Sequence, residues 1–164
     1  MPSFDLVTAS PEETRALGEA VAVVLGSGDV VSLTGDLGAG KTTFVQGAAS
    51  GLGVEEPVLS PTFTLVRQYA APIPVLHVDV YRLDRLQDVL DLGFEEMVDG
   101  GSVVFIEWGD AIDALLPDAY LQVEVTMPDG SDLEARRFTV SARGRAWAPR
   151  WDRLRQLTET WTPR

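Results

Sequence analysis

One eight-residue stretch constrains this chain more than any other. Gly35-Asp36-Leu37-Gly38-Ala39-Gly40-Lys41-Thr42 fits the pattern G-x-x-x-x-G-K-[ST] in full. It lies between a compact apolar run, Val30-Val31-Ser32-Leu33, and a segment of helical character, which is the setting the pattern needs. Glycines let successive backbone N–H groups turn inward around an anion, and the helix that follows adds the positive end of its dipole. Lys41 then supplies a point charge to the β- and γ-phosphates, the Thr42 hydroxyl suits Mg²⁺, and Thr43 falls near an α-phosphate. Of the 13 basic residues only Lys41 is not an arginine, so the chain's one lysine sits at the position where a phosphate loop requires it.

The rest of the chain reads as one α/β domain around a mixed sheet flanked by helices. Ser3–Ala9 has strand character, and Ser10-Pro11-Glu12-Glu13 reads as a helix N-terminus with Ser10 as cap, Pro11 in the first turn and Glu13 reaching back. That helix is expected to run to about Leu25, and the next from Lys41 to Leu52, stopped by Gly53. Phe63–Tyr69 and Val75–Tyr81, joined through Ala70–Pro74, suggest a hairpin. Leu86–Val98 is expected to be helical with a break at Gly93, and Ala111–Leu116 to be a short helix. Val103-Val104-Phe105-Ile106 is apolar throughout, as a central strand covered on both faces would be. Leu121–Met127 and Arg137–Ser141 alternate like antiparallel strands, and Asp152–Thr160 reads as a terminal helix.

Composition narrows the function. The formal net charge of −12 lacks the basic stripe that grips a phosphate backbone, so any dealings with nucleic acid are expected through a partner. There is no cysteine, which excludes thiol nucleophiles and thiolate metal sites. The opening Met1–Asp5 has no basic segment leading into an apolar run, and the longest uncharged stretch, Thr42–Val54, is too short and too rich in Gly and Ser for a bilayer. A cytoplasmic protein is expected. With Lys41 committed, no second lysine exists for the Asn-Lys-x-Asp motif that reads guanine, and no Leu-Ser-Gly-Gly-Gln signature is present. Adenine nucleotide follows by elimination.

Mg²⁺ also calls for a carboxylate at the end of a neighbouring strand. Glu107 directly follows the apolar run 103–106, and Asp79 lies in Leu76-His77-Val78-Asp79-Val80-Tyr81-Arg82, where His77, Asp79 and Tyr81 share one face by the two-residue period. Thr62, after Ser60-Pro61, could sense a γ-phosphate as a switch threonine.

Taken together, GDLGAGKTTFVQG (35–47), SPTFTLV (60–66), HVDVYRL (77–83), LGFEE (92–96) and IEW (106–108) resemble the TsaE family, and the agreement spans about residues 5–144. Those are small bacterial P-loop ATPases needed to make threonylcarbamoyladenosine on tRNA, working with the TsaD and TsaB proteins that perform the transfer. The resemblance implies a single P-loop ATPase domain over 1–144 and a C-terminal tail, 145–164, which matches no family motif and is read as a packed helix. It implies that Gly38, Ala39, Gly40, Lys41, Thr42 and Thr43 hold the phosphates of ATP, with Thr42 and Glu107 on Mg²⁺. Asp79 would lie at the catalytic centre, Ser60–Thr64 would form a switch around Thr62, and Trp108 would belong to the active-site motif. Thr14 and Arg136 match positions near the nucleotide, and a one-residue register slip would put Arg137 in place of Arg136.

Three functions fit these residues. The first is a Mg²⁺-dependent ATPase, weak alone, that drives the TsaD–TsaB complex and meets tRNA only through it. The second is a small-molecule kinase with Asp79 as the base, although no Arg-rich lid segment stands out to exclude water. The third is a nucleotide sensor that does not hydrolyse. The first is the expectation.

Overall fold

The structure, a computed structural model, describes residues 2–35, 40–59, 66–80, 93–107, 116–128 and 133–164. Seven strands form one mixed sheet: β1 (Ser3–Thr8), β2 (Val30–Gly35), β3 (Val66–Tyr69), β4 (Val75–Asp79), β5 (Val103–Glu107), β6 (Tyr120–Thr126) and β7 (Arg136–Arg143). Their order across the sheet is β1-β7-β6-β2-β5-β4-β3. Strand β2 runs parallel to both β5 and β6, and β5 runs parallel to β4. The hairpin partners β3–β4 and β6–β7 are antiparallel, as is the pair β1–β7. The α/β architecture with a mixed sheet is therefore the one the sequence led us to expect.

One face of the sheet carries α1 (Pro11–Ala22), α2 (Lys41–Gly51) and α4 (Ala148–Leu157), and α3 (Phe94–Asp99) lies on the other. The main core forms under the first group, where Leu17 and Val21 of α1 and Phe44, Val45 and Ala48 of α2 meet Val31, Leu33, Phe105, Val123 and Phe138 of the sheet. On the opposite face Leu76, Val78, Val104 and Ile106 pack with Met97 and Val98 of α3. The run read as a central strand, β5, is buried on both faces, and so is the apolar run of β2.

Helices α1 and α2 approach so closely that there is no room for side chains between them. A Cβ on Gly18 would stand 2.4 Å from the Phe44 carbonyl oxygen, and one on Gly47 would stand 2.0 Å from that of Arg15. Glycine is what lets the helix after the loop lie flat on α1.

Helix α1 begins as the sequence indicates. Ser10 is the cap and its Oγ accepts from the Glu13 N–H at 3.2 Å, while Glu13 reaches back to the Ala9 N–H at 3.1 Å. It ends three residues earlier than expected, at Ala22. The apolar Val24 and Leu25 continue the pattern but sit in tight turns, bonded to the carbonyls of Val21 and Ala22. The terminal helix begins at Ala148, four residues before the expected Asp152, with Pro149 in its first turn. It lies against the first helix and strand: Arg150 pairs with Asp29 at 2.6 Å and covers the Trp147 ring, Phe4 stacks on Trp151, and Leu154 is fully buried. No helix among the described residues is long and apolar enough to cross a membrane.

Candidate functional site

Parallel pairing brings the carboxyl ends of β2, β5 and β4 to one edge of the sheet, the place where open α/β sheets bind ligands. There Leu33 is opposite Glu107, and Glu107 is opposite Asp79. Registered residues on neighbouring strands face the same way, with strands about 4.8 Å apart, so Glu107 and Asp79 stand side by side on the α2 face. Gly35 ends β2 with φ of 131°, and Gly40 caps α2 with φ of 107°, both in the region that favours glycine. A Cβ on Gly35 would strike the Val125 carbonyl at 2.1 Å.

No side chain caps α2, and its first turn carries no acidic residue. A helix N-terminus with no side-chain cap and no acidic first turn is the kind that attracts an anion. Lys41 is buried, and its Nζ donates to the Gly35 carbonyl at 2.8 Å, so the cation is turned back toward the end of β2. Next to it, the Thr42 hydroxyl lies 3.2 Å from each carboxylate oxygen of Glu107. Glu107 is only 4% exposed, and its Oε2 also accepts from His77 Nε2 at 2.5 Å. Among the described residues, two buried side-chain atoms have no hydrogen-bond partner, Thr34 Oγ1 and His77 Nδ1. Both belong to the strands that build this edge.

The hydroxyl of Thr42 and the carboxylate of Glu107 are hard oxygen donors already directed at each other, a donor set that suits Mg²⁺. No group of three His, Asp or Glu side chains that could hold a metal occurs among the described residues. An ion taken here would accordingly complete its shell with phosphate oxygens and water, the usual habit of Mg²⁺.

The opposite flank of the loop is a small cleft of about 80 Å³ lined by Pro11, Thr14, Gly40, Thr43, Glu134 and Arg136. Thr14 is held by a 2.7 Å bond between its hydroxyl and that of Thr8 at the end of β1. The Arg136 side chain passes over Gly40, and its Nη1 donates to the carbonyls of Leu133 and Ala135 at 2.7 and 2.8 Å. Arg137 faces the other way and pairs with Asp5 at 2.7 Å. Of the two arginines, the register therefore turns Arg136 toward the loop.

The structure thus brings Gly40, Lys41, Thr42, Thr43, Glu107, Asp79, Thr14 and Arg136 to one edge. Gly38, Ala39, Thr62 and Trp108 lie outside the described residues, as do the segments 60–65, 81–92 and 108–115. Two neighbours of the site carried no role in the sequence reading. His77 was visible only as a residue sharing a face with Asp79, and Glu134 gave no signal at all.

A family model described as threonylcarbamoyl adenosine biosynthesis protein TsaE matches residues 8–137. A Bacillus subtilis protein named tRNA threonylcarbamoyladenosine biosynthesis protein TsaE is 42% identical over 133 residues, 80% of this chain and 82% of that protein. The Treponema pallidum protein of the same name is 42% identical over 136 residues, covering 82% of this chain and 98% of its own length. Among solved structures, a crystal structure of Bacillus subtilis YdiB superposes with a TM-score of 0.80 at 35% identity, covering 94% of this chain and 95% of that one. With a family model matched over most of its length and relatives this similar, the chain belongs to the TsaE family of threonylcarbamoyl adenosine biosynthesis proteins.

Proposed function

We propose that this chain binds ATP with Mg²⁺ at the edge formed by Gly35, Gly40–Thr43, Asp79 and Glu107, and hydrolyses it to drive the TsaD–TsaB transferase. That complex would install threonylcarbamoyladenosine at A37 of tRNA in the cytoplasm. The observation that carries the reading is the Thr42–Glu107 contact, 3.2 Å to both carboxylate oxygens, directly beside the buried Lys41. It joins the start of the helix that follows the loop to the end of a neighbouring parallel strand.

The chain's own groups divide the work. The uncapped N–H groups of α2 and the Lys41 ammonium bind and orient the phosphates. Thr42 and Glu107 would hold Mg²⁺, which when bound neutralises charge on the β- and γ-phosphates. Asp79, next to Glu107 on the same face, would contact a metal-bound or an attacking water. Thr14 and Arg136 flank the nucleotide, and Trp108 completes the motif that Glu107 begins. Thr62 is the residue that answers to the γ-phosphate, so that nucleotide state is passed to the partner. Such catalysis is mostly positioning and electrostatics, so slow turnover by the isolated chain follows naturally. A net charge of −12 fits a protein that meets tRNA through the complex.

The test is ATP turnover by the purified chain, alone and with TsaD–TsaB, with Lys41→Ala as control. Turnover that the partners stimulate and that Lys41→Ala abolishes supports the proposal. Turnover indifferent to the partners would separate the ATPase from this client, and transfer of phosphate to a small acceptor would make the chain a kinase instead.

A further inference from the structure

The second contact of the Glu107 carboxylate has no part in the function proposed above. His77 is completely buried in β4, two residues before Asp79 and opposite Phe105 in the sheet register. Its Nε2 lies 2.5 Å from Glu107 Oε2. A carboxylate is acceptor-only, so this contact requires the ring proton on Nε2. Nδ1 has no partner among the described residues, and a lone pair is the form that needs no acceptor there. Among the described residues the ring therefore has one polar contact, and that contact is with Glu107.

The consequence lies in how Glu107 is presented. A glutamate has three side-chain torsions, and a single 3.2 Å hydroxyl contact shared by two oxygens leaves the carboxylate free to rotate. A rigid imidazole anchored in the sheet core fixes one oxygen. Among the described residues Oε2 is engaged by both His77 and Thr42, and Oε1 by Thr42 alone, so Oε1 is the less encumbered oxygen. Carboxylates that ligate metals are commonly oriented by such an outer hydrogen bond, and losing it lowers metal affinity about 10- to 100-fold.

We propose that His77 is a positioning residue that holds Glu107 in the orientation in which it takes the divalent cation. The inference rests on the reading of Thr42 and Glu107 as cation ligands. The competing role is that of a buried ring which merely fills the core; an apolar side chain of similar size could then replace it with an effect on stability alone.

Three substitutions separate these roles. His77→Gln puts an amide N–H near the position of Nε2, His77→Leu keeps bulk without a donor, and His77→Asn keeps polarity but is too short to reach Glu107. Each folded protein, checked by its melting temperature, is loaded with a non-hydrolysable ATP analogue and titrated with Mn²⁺ by electron paramagnetic resonance. Fluorescent ATP binding in EDTA is measured alongside. We expect His77→Leu to weaken Mn²⁺ binding at least ~10-fold while metal-free nucleotide affinity stays within about twofold. His77→Gln should return Mn²⁺ affinity to within about threefold of the wild type. If the leucine variant does not fold, the asparagine variant carries the same expectation. Unchanged Mn²⁺ affinity without the donor, or equal weakening in the glutamine and donor-less variants, overturns the positioning role. A wild-type chain that binds nucleotide without taking up Mn²⁺ instead overturns the cation reading, and the inference with it.

Discussion

The parallel half of the sheet, β4-β5-β2, and the antiparallel half, β6-β7-β1, are built from strands of similar length, yet they place their ionisable groups oppositely. In the antiparallel half one face packs on α1, α2 and α4, and the other presents Asp5, Glu124, Arg137 and Thr139 to solvent. Its charges stay in water. In the parallel half both faces are covered, and polar groups are buried nonetheless: Ser32, Thr34, His77 and Glu107, with Lys41 beside them. Burying such groups is unfavourable unless they are paired, and a fold that selected only for stability would fill those positions with apolar residues. The difference teaches where to look for chemistry. One half is stabilised by alternation, and the other carries the buried ionisable groups that the candidate site requires.

Damage to the polar cluster of the parallel half should therefore cost activity far more than stability. Glu107→Ala is expected to lower Mg²⁺-dependent ATP turnover by about 10²–10³-fold, the usual range for losing one group that stabilises transition-state charge. Nucleotide binding in EDTA should survive, because the helix terminus and Lys41 remain. Steady-state turnover with a parallel metal-free binding measurement checks this. Normal turnover in Glu107→Ala would remove Glu107 from the site and dissolve the contrast between the two halves.

The next effect falls between the halves, where α1 and α2 touch. Gly47→Ala places a methyl 2.0 Å from the Arg15 carbonyl oxygen, and neither backbone can yield without shifting a helix. We expect a loss upwards of ~3 kcal/mol, at or beyond the top of the usual range for overpacking. Gly26→Ala is the control, since its nearest neighbour is an Asp29 carboxylate oxygen at 4.0 Å, and it should change stability by less than about 0.5 kcal/mol. Thermal or urea melts of the two variants side by side decide it.

These contrasts also show how much of the molecule could be read beforehand. Val103–Ile106 and Leu121–Met127 announce a covered strand and a half-exposed one through composition and alternation alone, because burial on two faces or one leaves that mark. The strand ending at Gly35 and the helix starting at Lys41 were legible because a phosphate-loop pattern needs one on each side. Helix ends were less so. Val24 and Leu25 continue the apolar pattern of α1, yet the chain leaves the helix at Ala22, and Gly26 is then held by the Asp29 carboxylate at 2.7 Å. Pro149 in the first turn of α4 was a usable signal for an earlier start, and Asp152 was read in its place. The pairing of His77 with Glu107 could not be read, because 30 residues separate them and only the β4–β5 register brings them together. Likewise the facing of Arg136, and not Arg137, depends on a strand register that the long connection after β6 hides.

In the antiparallel half the prediction is reversed, with stability lost and chemistry kept. Leu154→Ala on α4 empties a fully buried position over the first face of the sheet. About 3 kcal/mol should be lost, within the range found for leucine truncation in cores. Turnover per folded molecule should stay within about twofold, measured well below the lowered melting temperature. A large fall in turnover at full folding would mean that α4 and the site edge are coupled and the halves are not separable.

The smallest effect belongs to the open face of the same half, and its pH dependence gives it a signature. Asp5 accepts from Arg137 at 2.7 Å and from Thr139 at 2.9 Å, and these bonds, the arginine's first, hold its carboxyl below the ordinary value of 3.8 against a smaller opposing effect of burial. A carboxyl more acidic in the folded chain than in the unfolded one stabilises the fold above the unfolded value and loses that contribution as pH falls through the folded value. The pair is well exposed, 39% for Asp5 and 45% for Arg137, so screening by water keeps the contribution under about 1 kcal/mol. Asp5→Asn should therefore melt slightly below the wild type at pH 6, and the gap should close as pH drops beneath 3.8. Added salt should narrow the gap at pH 6 as well, since an exposed pair is screened whereas the buried Glu107 contacts are much less so. A gap that persisted unchanged at low pH would show that Asp5 acts through the shape of the β1–β7 pairing and not through its charge, and the open face would then be structural in the same sense as the covered one.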